Sequence, residues 1–138
     1  MNSPGHRANI LNGKYNTVGI GVTQNSRGVY YFTQNFAHRD LILKNRFPKK
    51  IRVGKLLNIH GAVLTDAKMV LGMAVRRDQK KPLTQQAVPV NGHKFDINLK
   101  MSKAGIFDVY VYIENEVRGN FLLSNQFVII VSRGFWLF

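Results

Sequence analysis

The sequence predicts a mainly β protein, and three features carry that reading. After residue 51, short apolar segments recur between turn-forming residues, and no stretch of helical period interrupts them. The run Phe95-Asp96-Ile97-Asn98-Leu99-Lys100-Met101 exchanges apolar and polar residues at each step, as a strand with one buried face requires. Val109-Tyr110-Val111-Tyr112-Ile113 is dense in the β-branched and aromatic side chains that fit a pleated surface.

Taken from the front, Ser3 suits a helix N-cap and Pro4 its first turn, so residues 3–11 read as a short helix closing at Asn12-Gly13, with His6 and Ile10 on one face. Residues 18–23 and 29–36 read as strands joined by a turn at Asn25-Ser26-Arg27-Gly28. A helix and one hairpin cannot enclose a core, so this part must dock on something else or stay poorly ordered. Residues 39–50 read as a basic linker, because periodicity lapses, charges accumulate and Pro48 interrupts the run. Segments at 55–64, 68–76, 84–90, 93–101, 105–114 and 121–132 then give six or seven strands within residues 51–138, the count of a two-sheet sandwich. The apolar stretch 121–138 is broken by Ser124, Asn125, Gln126, Ser132 and Arg133; it falls short of a membrane span and reads as a buried strand.

Composition narrows the chemistry. A length of 138 residues allows one ordinary domain, or a small one with an appendage, and 45% hydrophobic residues is globular. The absence of cysteine excludes a disulfide framework, a thiolate metal site and a cysteine nucleophile. Residues 1–10 hold no apolar run of signal-peptide length. The net charge is +13, from 20 Lys and Arg against 7 Asp and Glu, which predicts affinity for polyanions. Lys44, Arg46, Lys49, Lys50, Arg52 and Lys55 form one basic stretch without an acid, and Arg76, Arg77, Lys80 and Lys81 form a second. The competing reading makes them solvated loop residues and strand-edge lysines that discourage sheet-to-sheet pairing.

Three motifs in series carry a family resemblance: Ser3-Pro4-Gly5-His6-Arg7-Ala8-Asn9-Ile10-Leu11, Gly19-Ile20-Gly21-Val22 after Tyr15, and Tyr31-Phe32-Thr33-Gln34-Asn35-Phe36. Together they resemble the CAP superfamily of cysteine-rich secretory proteins, antigen 5 and plant pathogenesis-related proteins, in its cysteine-poor bacterial, SCP-like form. The resemblance covers residues 1–38, about the last third of such a domain, and implies an incomplete α-β-α sandwich and an extracellular or cell-surface setting. It implies that His6 is the second histidine of a cavity built from two histidines and two acids. The other three members would lie upstream, since no acidic residue precedes Asp40. Residues 95–131 resemble, in architecture alone, the last strands of an immunoglobulin-like or fibronectin-like module; the cysteines and core tryptophan of true immunoglobulin domains are absent, and Trp136 falls past the last expected strand.

Little else suggests catalysis. His6 is the one candidate metal ligand, and its partners are missing: His38, His60 and His93 show no spacing that would bring them to it on one helix or hairpin. Zinc or another divalent metal is expected only in an intact parent domain. Ser3 and Ser26 lack the setting of a nucleophile, and Ser3 is better explained as a cap. Glu114 and Glu116 read as a solvated strand end. Gly19-Ile20-Gly21 lacks the third glycine and helix of a phosphate loop and fits a strand packed closely on a neighbour. Tyr30-Tyr31-Phe32 could stack bases, although core and strand packing is the simpler use.

Three functions follow as expectations. The first is a non-enzymatic SCP-like protein, its front missing, whose sandwich supports adhesion or binds anionic wall polymers, polysaccharide or lipid headgroups. The second is a hydrolase or metal-dependent enzyme whose cavity around His6 is completed by a separate N-terminal segment. The third, nucleic-acid binding, rests on charge alone and is disfavoured because no recognition motif accompanies it.

Overall fold

The computed structural model describes residues 3–134. The chain divides into two compact units, Met1–Arg39 and Asp40–Phe138. Trp136 lies outside the described residues. Among the described residues the protein is mainly β, with one short helix.

The first unit contains helix α1 (Pro4–Ile10) and strands β1 (Thr17–Gln24) and β2 (Tyr30–Ala37). Pro4 opens the helix as expected, but Ser3 makes no side-chain cap bond, and the helix lasts only 7 residues. β1 and β2 pair antiparallel with Val18 opposite Phe36 and Val22 opposite Phe32. Asn25 sets the turn, its Oδ1 accepting the Arg27 and Val29 N–H groups at 2.9 and 3.0 Å. None of the described residues of this unit is buried. Val18, Ile20, Val22 and Phe32 are half exposed or more, which is the outcome physics assigns to a lone hairpin. Two expectations are corrected here. Tyr30 and Tyr31 do not pack into a core, and a Cβ on Gly19 would meet nothing within 4 Å and one on Gly21 only the Thr33 Cβ at 4.0 Å, so neither glycine is required by a close approach.

The second unit is built from β3 (Leu41–Leu43), β4 (Lys50–Arg52), β5 (Leu56–Val63), β6 (Met69–Arg76), β7 (Pro82–Pro89), β8 (Lys94–Lys100), β9 (Gly105–Glu114) and β10 (Phe121–Ser132). They form a three-stranded sheet, β3-β5-β8, and a five-stranded sheet, β4-β10-β9-β6-β7. One hydrophobic cluster joins them: Leu57, Ile59, Ile97 and Leu99 come from the first sheet, Val70, Phe107, Val109 and Ile129 from the second. The strict alternation of β8 delivers Phe95, Ile97 and Leu99 inward and leaves Lys94, Asp96, Asn98 and Lys100 exposed. β7 and β8 belong to different sheets and are linked through a two-residue turn, Gly92-His93. Both residues have positive φ (54° and 61°), and Asn91 and Lys94 exchange backbone bonds across it, the geometry of a type I′ hairpin.

The structure revises four expectations for this half. Residues 39–50 are not a plain linker: Leu41 is a core residue at 2% exposure, and the sandwich starts with β3. Three residues are too few to show a period, and Pro48 marks the point where the chain leaves one sheet for the other. The sandwich is not wholly antiparallel, since β4 runs parallel to β10. β10 is half-buried rather than buried, with Ile129 and Val131 inside and Leu122, Leu123 and Val128 exposed. Glu114 is no solvated strand end: it is 9% exposed, and its Oε1 accepts the Gly119 N–H at 2.9 Å, closing the β9–β10 turn.

Candidate functional site

The crossover between β3 and β4, residues 44–49, is the feature of the second unit with most functional content. Its side chains divide between anchors and exposed cations. Asn45 extends the sheet ladder after β3 has ended: its Oδ1 accepts the His60 N–H at 3.1 Å and its Nδ2 donates to the Asn58 carbonyl at 2.8 Å. Two residues on, Phe47 stacks on Phe127 of β10, with ring centroids 4.0 Å apart and planes 17° from parallel. One anchor thus holds the chain to the three-stranded sheet and the next to the five-stranded sheet. Lys44, Arg46 and Lys49 alternate with them and are exposed, without an ion pair among the described residues.

The remaining cations of the stretch lie on defined backbone. Lys50 and Arg52 belong to β4, the outermost strand of its sheet, where cationic side chains oppose edge pairing. Lys55 follows a turn bound to the end of β8: Gly54 N–H donates to the Met101 carbonyl at 2.8 Å, and Met101 N–H returns a bond to Lys55 at 3.0 Å. The second basic cluster is different. Arg76 Nη2 donates to Asp78 Oδ2 at 2.8 Å, and Arg77 binds both oxygens of Asp108 at 3.0 Å. These hydrogen bonds to Asp108, then its charge, raise Arg77 above its ordinary range. Lys80 and Lys81 remain exposed and carry no ion pair among the described residues.

A polar network that the sequence did not reveal covers the outer face of the three-stranded sheet. Asn58 Nδ2 donates to Asp96 Oδ1 at 2.7 Å and to Asn98 Oδ1 at 3.0 Å. Because the carboxylate fixes the amide's orientation, Asn58 Oδ1 faces His60 Nδ1 at 3.0 Å and accepts its hydrogen, leaving Nε2 of the ring uncommitted. The sheet register puts His60 opposite Asp96, and Lys44 N–H bonds the His60 carbonyl at 2.9 Å. An open groove of about 940 Å³ borders this face, with Lys44, His60, Lys94 and Asp96 in its lining. The period-two spacing of Asn58 and His60, and of Lys94, Asp96 and Asn98, was a visible signal. Which strands pair was not, so the cluster could not be assembled from sequence. Gln86 of β7 also reaches across to this sheet, its Oε1 accepting the Asn98 N–H at 2.7 Å and covering a donor on the outermost strand β8.

His6 sits on α1 and is exposed. Among the described residues no three of His, Cys, Asp and Glu converge as metal ligands, and no helix is long and apolar enough to cross a membrane. Residues 1–36 match the family model described as CAP, cysteine-rich secretory protein family. That match supports a CAP relationship for the front of the chain. No curated protein matches the chain.

Proposed function

We propose that residues 40–134 form an immunoglobulin-like sandwich that acts as a non-enzymatic binding module for an anionic polymer at a cell surface or outside the cell. Two features support the architectural part: three strands faced by five in the order β4-β10-β9-β6-β7, and two short opening strands, β3 and β4, that join different sheets. The setting is that of the SCP-like bacterial proteins which residues 1–38 resemble.

The observation that carries the binding function is the alternation Lys44, Asn45, Arg46, Phe47 along the crossover. A solvated basic loop loses conformational entropy when it binds, about 1–2 kcal/mol for each backbone residue it orders. This crossover is already held at Asn45 and Phe47, so its cations face a polyanion on ordered backbone. Lys94 and His60 extend the same surface into the groove.

The test is calorimetric titration with long-chain polyphosphate and with heparin over a range of salt concentrations. Binding should weaken with salt through counterion release. Lys44→Ala/Arg46→Ala/Lys49→Ala should reduce the slope of log K against log salt by ~2, if each lost contact removes ~0.7–0.9. Lys80→Ala/Lys81→Ala should reduce it less. Salt-independent binding, or a triple variant that binds like the parent, refutes the proposal.

A further inference from the structure

The groove over the three-stranded sheet holds a residue that attraction to negative charge does not explain. Register sets a row of side chains across three strands: Lys44, whose N–H bonds the His60 carbonyl, then His60 itself, then Asp96. Lys94 lies on the same exposed face of β8, two residues before Asp96. A carboxylate thus sits between two cations, and Lys44, Lys94 and Asp96 are all exposed without an ion pair among the described residues. Asp96 is also oriented. Its Oδ1 accepts hydrogens from Asn58 Nδ2 at 2.7 Å and from Asn98 Nδ2 at 3.3 Å, while Oδ2 accepts none among the described residues. His60 is fixed in the same way, its Nδ1 on Asn58 Oδ1 at 3.0 Å and its Nε2 uncommitted. Two oriented acceptors therefore stand in the groove lining beside two cations.

We infer that the groove binds an acidic glycan, a polymer whose units carry hydroxyl groups beside their anionic ones. The inference rests on the reading of this module as a polyanion binder and names the class of polymer. The acceptors select it. An ionised polyphosphate has no hydrogen to donate along its length, so it meets Asp96 only as a like charge, which disfavours it in this groove. A sugar hydroxyl donates to Asp96 Oδ2 or His60 Nε2 while the carboxylate of the same polymer pairs with Lys44 or Lys94. The rest of the lining agrees. Val88 and Pro89 add apolar surface, which the C–H face of a sugar ring can cover and a phosphate chain cannot. At about 940 Å³ the groove has the size of a small-molecule site, enough for a short oligosaccharide.

Calorimetric titration of the full chain tests this at pH ~8, where imidazole is neutral. The two probes are an oligogalacturonate, with a carboxylate beside free hydroxyls on each unit, and a polyphosphate of matched charge. Asp96→Asn keeps an oxygen for Asn58 but exchanges the free acceptor for a donor. It should weaken the glycan ~10-fold, the effect of one lost hydrogen bond to a charged group. It should tighten polyphosphate, because a like charge has gone. His60→Ala removes the second acceptor, leaves the bond from Asn58 to Asp96 in place and should weaken the glycan at least ~3-fold. Circular dichroism melts establish that both variants fold, and if Asp96→Asn does not, the glycan affinity of His60→Ala decides. Asp96→Asn tightening both polymers, or His60→Ala binding the glycan like the parent, overturns the inference and leaves polyanion binding in place. So does a parent chain that binds polyphosphate but not the glycan. A chain that binds neither polymer overturns both readings.

Discussion

Gly61 shows how tightly one residue can constrain this sandwich. It lies on β5, opposite Leu43 on one neighbouring strand and Phe95 on the other. A Cβ there would overlap the Ile42 carbonyl oxygen and come within 2.9 Å of the Phe95 ring. The ring thus occupies the space that the missing side chain leaves. Gly72 differs in kind: its added Cβ would meet Ile97 Cγ2 at 2.8 Å, an atom of a side chain that can shift. Overpacking a core costs about 1–3 kcal/mol. Gly61→Ala should fall at or above ~3 kcal/mol, since backbone must move, and Gly72→Ala nearer ~1 kcal/mol. Urea unfolding midpoints of the two variants check the order, and a Gly72→Ala chain less stable than Gly61→Ala would contradict it. Phe107, fully buried, gives the opposite perturbation. Phe107→Ala should cost ~3–5 kcal/mol by leaving a cavity.

Among the elements, the β1–β2 hairpin and the sandwich should differ sharply in stability. The hairpin ladder is complete, yet none of its side chains is buried, so its hydrogen bonds open without any loss of core packing. Amide hydrogen exchange should find β1 and β2 almost unprotected while β6 and β9 exchange only through global unfolding. Protection of β1 equal to that of β9 would refute this. The same contrast explains what the sequence disclosed. β9 and β10 were legible because ten or more residues of β-branched and aromatic composition lay between turn-forming residues. β3 was hidden, since three residues establish no period and its membership is decided by Leu41 entering a core assembled from later strands. The exposed cations of the crossover could be read as a charge run. Their anchors could not, because Asn45 acts through backbone groups of β5 and Phe47 through a ring on β10. Removing those anchors tests their purpose: Asn45→Ala/Phe47→Ala retains every cation, and titration with polyphosphate should still find at least ~3-fold weaker binding from the added ordering entropy. Unchanged affinity would return the crossover to an ordinary solvated loop.

For the whole molecule, the excess of 13 positive charges sets opposite responses to salt. Charge of one sign destabilises a compact state by self-repulsion. Added salt screens that repulsion, so the melting temperature of the isolated chain should rise between ~10 mM and ~300 mM salt, as the screening length shortens from ~30 Å to under ~8 Å. A bound polyanion neutralises the same charges directly. At ~100 times its dissociation constant it stabilises the folded state by ~2.7 kcal/mol, provided the unfolded chain binds it no better. That contribution must shrink as salt weakens binding. Differential scanning calorimetry should therefore record a large polyphosphate-induced shift in melting temperature at low salt, and little or none at ~300 mM, where the isolated chain is itself more stable. In Lys44→Ala/Arg46→Ala/Lys49→Ala the low-salt shift should contract, while the salt stabilisation of the isolated chain persists, reduced only in proportion to the three charges removed. A polyphosphate shift equal at both salt concentrations would show that contacts other than charge hold the polymer. An undiminished shift in the triple variant would place binding away from the crossover.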